Sequence, residues 1–311
     1  MPNGKIITAN CGDDTISIIE KAHPFKVYTI YLRDLVMKNI GVLEGELNDK
    51  IGPTSLVMDK FNNLLVVNSY DDSLFKIDLD NDMLLGGIKV GRCPTVIKVY
   101  DGKLYILNSD SDSLSVVEEE NLTLLESINI GGRPTDMQID KKDGHMYITN
   151  SNSHSLSIVG LDSYDIYDLE LHSQPLKVRI EGDIIFIMCF LNNGLLGYSG
   201  LFAIKKVDHR MIWSRKIKGV YYDFIKLKGL DYFYLINADD GYLYGLDIES
   251  GIFDKKLIVG GLPNKMVYDG KNRLYINDLL NNQIIVIDIG NNNKIEEKIR
   301  VGKEPQDILL L

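Results

Sequence analysis

Leu104–Val117, LYILNSDSDSLSVV, is two apolar runs of strand length around a knot of Asn, Ser and Asp. The flanking runs read as the two strands of a hairpin, and the polar knot reads as its turn. The same pattern returns as LLVVNSYDDSLFKID from Leu64, MYITNSNSHSLSIVG from Met146 and FYLINADDGYLYGLD from Phe233. IITANCGDDTISIIE from Ile6 and LYINDLLNNQIIVID from Leu274 fit as first and last members, and IFIMCFLNNGLLGYSGLFAI from Ile185 fits with its turn expanded. A pattern that recurs every 40 residues or so, as this one does, marks a repeat protein, so the fold has to be read from the unit.

A second column keeps step with the first. Six of the eight prolines occupy one place in the unit, just after a Gly or polar turn: Pro53, Pro94, Pro134, Pro175, Pro263 and Pro305. In the sixth unit Val220 or Tyr221 of KGVYYDF takes that place. Each unit contains four short runs rich in Val, Ile, Leu and Tyr, separated by Gly, Pro, Asn, Asp and Ser, with no long segment of helical period. Four strands in about 40 residues is the signature of a propeller blade. The expected fold is all-β: a seven-bladed β-propeller of four-stranded blades, a single domain over residues 1–311. The first unit opens on a second strand, GKIITAN, and the last segment, PQDILLL, is an unmatched first strand. Ile308–Leu311 are therefore expected to pair with Ile6–Ala9, closing the ring in the N-terminal blade and removing an open sheet edge.

The Asn that ends the second strand appears at Asn10, Asn68, Asn108, Asn150 and Asn237, with Cys189 and Asp278 in the other two units. A residue repeated in equivalent hairpins is expected to do one local job, bonding turn amides as Asn and Asp do. Asp110 and Asp112, like Asp71 and Asp72, lack the Gly and terminal Glu of a calcium loop and supply too few of the six to eight oxygens that Ca²⁺ takes. The acidic knot is expected to be a turn, with no metal and no cofactor.

The runs LLVVN and MYITN, each followed by a polar turn at this period, resemble the YVTN-repeat β-propellers, with MYITN at Met146–Asn150 nearest to the name. The resemblance covers essentially the whole chain. It implies the propeller fold; such propellers include binding, surface and assembly proteins, and related ones include lactonases and lyases. The many Asn, Ile, Lys and Tyr residues point separately to an AT-rich bacterial genome. Fold does not fix function, so function has to be sought in sites.

With 34 basic and 44 acidic residues the formal net charge is −10, which repels phosphate backbones and argues against a nucleic-acid partner. No apolar run approaches the length of a membrane span. Three cysteines, Cys11, Cys93 and Cys189, are odd in number and lack metal-binding spacing, and the start of the chain lacks a signal-peptide pattern. A cytoplasmic setting is the expectation, with a surface or spore layer as the alternative.

In a repeat protein, function is best sought where copies differ. The first unit carries extra residues at about 21–50, including HPFKVYTIYLRDLVMKNIG, expected as a strand pair or short helix against the blade. The fifth unit, about 176–220, loses the Asn column, expands its turn and contains the only tryptophan, Trp213; Tyr221, Tyr222 and Asp223 follow at its end. Aromatics of this kind suit recognition because they bury much area with little entropy lost. The proline-corner loops carry Arg92, Arg133, Lys303 and Glu304, charges that could seat a carboxylate or an acidic peptide. His154 and His172 are expected near each other in loops of the fourth unit.

None of the five histidines shows a paired metal spacing, and there is no G-x-S-x-G elbow, P-loop or dinucleotide fingerprint. The first strands offer Asp136, Asp223, Asn264 and Asp307 as candidates for an axial site like that of lactonase-type propellers. The sequence is read as a non-catalytic binding or scaffolding propeller that recognises a protein or peptide through one rim. Its candidate contact residues are Arg92, Arg133, His154, His172, Trp213, Tyr221, Tyr222, Asp223, Lys303 and Glu304, and no catalytic residue is assigned. The alternatives are a metal-dependent lactonase- or lyase-like enzyme and a structural tile of a bacterial surface or spore layer.

Overall fold

The computed structural model describes residues 4–21, 24–39, 41, 43, 46–192, 197–227 and 232–311. They form seven four-stranded antiparallel sheets, the blades of a seven-bladed β-propeller. Blade 1 combines Pro305–Leu310 with Lys5–Asn10, Thr15–Glu20 and Lys26–Tyr31. Blades 2 to 7 each use consecutive strands, beginning at Pro53, Pro94, Pro134, Gln174, Tyr221 and Pro263. The last strand therefore completes the first blade, with Ile6 opposite Leu310 and Thr8 opposite Ile308, as the repeat register requires.

Two compact units hold these blades. Residues 1–128 with 265–311 carry nearly all of blades 1, 2, 3 and 7, and residues 129–264 carry blades 4, 5 and 6. In both units the second and third strands are the buried ones. Leu64–Asn68 and Ser155–Val159 are covered along their length, whereas outer strands such as Leu124–Asn129 are mostly exposed. A strand with sheets packed on both faces needs apolar residues on both, which is why these runs read as nearly continuous Val, Ile and Leu. Between blades 2 and 3, Leu65, Val67 and Leu74 meet Ile97 and Ile106; between blades 4 and 5, Tyr147 and Ile158 meet Val178, Ile185 and Ile187.

The proline column has a structural meaning. The ladder shifts register just after Pro53, Pro94, Pro134 and Pro175, and after Tyr221 in blade 6. Proline, which cannot donate to a ladder, is tolerated at a strand's first residue beside such a bulge. Tyr221 thus fills the proline position, and its N–H donates to Ser199 Oγ at 3.0 Å, a bond proline could not make.

The extra segment of the first unit supplies both a strand and a helix: the outer strand Lys26–Tyr31 runs directly into the helix Leu32–Lys38. Leu32, Leu35 and Val36 share the buried face of that helix, and Asp34 and Lys38 sit at the ends that suit the helix dipole. Burying each of the three contributes roughly 1.5–3 kcal/mol, enough to hold so short a helix in place.

Candidate functional site

At the blade ends that carry the Asn turns, the polar knot is a hydrogen-bonded clasp. Asn108 Nδ2 donates to Ser113 Oγ at 3.1 Å and Ser115 Oγ at 3.0 Å, and Asn150 does the same with Ser155 and Ser157 at 3.1 and 2.7 Å. Asn10 repeats the pattern on Thr15 and Ser17. Asn-x₄-Ser/Thr-x-Ser is therefore a folding motif. The preceding corner needs glycine there: a Cβ on Gly131 would lie 2.5 Å from Asn150 Nδ2.

The corner residues do backbone work in the same place. Cys93, Arg133 and Glu304 hold φ near 52°, 52° and 53°, and their carbonyls accept the N–H groups of Ser109, Ser151 and Cys11. Asp14 Oδ1 accepts from Ile51 and Gly52 N–H, Asp72 Oδ1 from Cys93 N–H, and Asn282 Oδ1 from Glu304 N–H, so these side chains tie one blade to the corner of the next. The exposed Arg92 donates to the Asp110 carbonyl at 2.9 Å, and the N–H of Lys303 donates to Asp13 Oδ2. His154 and His172 are exposed in neighbouring loops of blade 4, where the His154 carbonyl accepts from Leu171 N–H and His172 Nδ1 lies 3.8 Å from Glu170.

The first-strand carboxylates are bound in clasps between blades. Arg179 of blade 5 reaches Asp136 of blade 4 at 2.7 Å and Asp223 of blade 6 at 2.6 Å, and Asp136 also accepts the Val178 N–H. In the other unit Asp307 accepts from Ser55 Oγ and Leu56 N–H, with Lys265 Nζ 3.2 Å away. Burial alone would raise the Asp307 carboxyl, but Lys265 and the two donors outweigh it and hold it below the usual range. Among the described residues no group of three or more His, Cys, Asp or Glu is placed to hold a metal ion.

Of the fifth-unit aromatics, Tyr221 is a core residue that packs against Tyr244 and Phe253, and burial pushes its phenol up to about 12. Trp213 packs on the same cluster beside Phe186, and Tyr222 is the exposed member. The tip of the expanded turn, 193–196, lies outside the described residues.

The open concave feature of this unit lies at the opposite blade ends, between blades 4 and 5. It is a groove of about 900 Å³. Its floor is Tyr147, Ile158 and Ile184; the outer strand of blade 4 contributes Ile166 and Tyr167, and the 205–212 hairpin of blade 5 contributes Val207, His209 and Ile212. Ile166, Tyr167, Val207 and Ile212 are all exposed, which is unusual for four large apolar side chains in one concavity. The His209 ring stacks on Tyr167, centroids 5.5 Å apart and planes 19° apart, joining the two blades.

One end of the groove is ionic. Lys206 Nζ donates to Asp140 and Asp143, and Tyr147 Oη donates to Asp143 Oδ2 at 2.8 Å. Burial alone would lower the Lys206 ammonium, but the two carboxylates win and raise it; Asp140 is held correspondingly low. Burial, reinforced by Asp143, raises the Tyr147 phenol, so it remains a hydrogen-bond donor. Asp165 and Asp183 stand exposed on the walls, and neither carboxylate is in an ion pair among the described residues.

None of the groove residues was singled out from sequence. The signal lay in the turns after the third strands: KAHPFK in blade 1 places Phe25 four residues after Lys21, whereas KVDHRM in blade 5 places Arg210 four after Lys206.

No family model matches this chain, and no curated protein matches it. Solved structures do. A Lactobacillus plantarum protein is similar over 100% of both chains, with TM-score 0.77 and 11% identity. A Bacteroides fragilis protein provisionally called a 6-phosphogluconolactonase covers 99% of this chain and 98% of its own, with TM-score 0.74 and 11% identity. Kuenenia stuttgartiensis hydrazine synthase covers 86% and 97%, with TM-score 0.73 and 15% identity. At such identities the likeness is one of fold, and it extends to enzyme-like propellers.

Proposed function

We propose that this protein is a non-catalytic recognition propeller that binds a segment of a partner protein in the groove between blades 4 and 5. The observation that carries this is the groove itself: about 900 Å³, open, with an apolar and aromatic lining and polar groups gathered at one end. The resemblance to YVTN-repeat propellers supports a binding or scaffolding role. The lactonase-like alternative would draw on the first-strand carboxylates, and Asp136, Asp223 and Asp307 are already engaged in holding blades together. Three cysteines, odd in number and far apart in sequence, support a reducing compartment.

The test is selection of random displayed peptides on the wild type, followed by binding to a Tyr167→Ala, Ile212→Ala variant that melts normally. Enriched peptides should lose at least about tenfold in affinity on the variant. Peptides that bind the variant equally well, or no enrichment, would overturn the proposal.

A further inference from the structure

Blades 7 and 1 contain the same groove with an occupant already in it. Tyr275 and Tyr147 hold the same place in their second strands, as Val286 and Ile158 do in their third. Lys21 and Lys206 each follow the third strand of the next blade. Between blades 7 and 1, Lys21 Nζ lies over the Tyr275 ring, 5.1 Å from its centroid, and Phe25 packs against the cluster of Tyr275 and Val286. What remains there is a cavity of about 410 Å³.

Between blades 4 and 5 both fillers are withdrawn. Lys206 is drawn down to Asp140 and Asp143, so its ammonium is held in that ion pair and not over a ring as Lys21 is. Arg210, at the Phe25 position, is exposed beside Asp208, its Nε 3.6 Å from the carboxylate. The cavity is correspondingly larger, about 900 Å³, and its apolar walls of Ile166, Tyr167, Val207 and Ile212 are left exposed for something else to cover.

The charges select among occupants. Around the groove the carboxylates of Asp140, Asp143, Asp165 and Asp183 outnumber the ammonium groups of Lys205 and Lys206. The whole chain carries −10, which speeds approach of a cation and opposes an anion. Resting on the recognition reading above, we infer that the groove takes an aromatic side chain on an extended, net-basic segment of a partner protein, in the place that Phe25 fills between blades 7 and 1. A lysine or arginine beside that aromatic meets Asp165 or Asp183 and the exposed Tyr167, where a cation is attracted to the ring.

The test uses fluorescence anisotropy with three labelled peptides, GSKKFKKSG, GSKKAKKSG and GSEEFEESG, and unlabelled N-acetylphenylalaninamide as competitor. The first should bind saturably, and the other two at least about tenfold more weakly. The Asp165→Asn, Asp183→Asn variant should bind the first peptide several-fold more weakly and with a shallower salt dependence. Tyr167→Ala, Ile212→Ala should lose it. Equal binding of the glutamate peptide, lost in the Tyr167/Ile212 variant, would overturn the basic-segment inference and leave the groove a peptide site. Equal binding of the alanine peptide would overturn the aromatic anchor, and competition by N-acetylphenylalaninamide at the peptide's own affinity would make the occupant a small molecule. Undiminished binding to the Tyr167/Ile212 variant, or none to the wild type, would overturn the inference outright, with the display selection judging the recognition reading separately.

Discussion

At the scale of single residues, the repeated polar groups divide into those that hold the fold and those that are left for a partner. Asn150 is buried and gives both amide hydrogens to Ser155 and Ser157. Asn150→Ala should lower stability by about 1–2 kcal/mol and leave peptide binding unchanged, read as a drop in melting temperature with unaltered anisotropy. Arg179→Met is more severe, because it removes the guanidinium that bridges the buried Asp136 and Asp223. We expect a loss of about 3 kcal/mol or more, measured by urea unfolding; a change under about 1 kcal/mol would contradict the clasp. The Asn column was readable from repetition alone, but its partners were not: Asn10, Asn68, Asn108 and Asn150 donate to Ser and Thr hydroxyls of the third strand and do not bond the expected turn amides, whereas Asn237 does accept the Asp239 N–H. The clasp was not readable, because Arg179, Asp136 and Asp223 lie on three different blades and only the register past each bulge brings them together.

At the scale of elements, the terminal strand and the ionic hairpins carry the predictions. Removing Asp307–Leu311 strips blade 1 of its first strand and breaks the bonds to Ser55 and Leu56. That truncation should melt markedly lower or aggregate, and an unchanged melt would contradict the closure. Asp59, Asp140 and Asp307 all sit below their ordinary value of 3.8; for each, burial opposes the shift and ion pairs and hydrogen bonds outweigh it. For a depressed carboxyl the contribution to stability is complete above the unfolded value and disappears as pH falls through the folded one. Melting temperature should accordingly hold down to about pH 4 and fall below it. A fall already complete between pH 7 and 5 would contradict this account. The proline column announced these first strands plainly, yet the helix Leu32–Lys38 remained one of two readings, since seven residues give too little periodicity to decide.

At the scale of the whole molecule, the repeat specified seven blades, and blade-to-blade differences specified the site. Sequence drew attention to conspicuous residues, among them Trp213 and Tyr221, and the structure packs both on the core cluster of blades 5 and 6. The groove was hidden because its origin is a missing filler: nothing in the turn after the third strand of blade 5 is conspicuous until KVDHRM is set beside KAHPFK with the packing of Phe25 known. Recognition between blades 4 and 5 is tested by hydrogen–deuterium exchange of the protein with and without a saturating selected peptide. Slowed exchange should be concentrated in residues 158–167 and 205–212. Protection centred instead on the Asn turns at 108–112 and 150–155 would contradict it and move the binding face to the other blade ends.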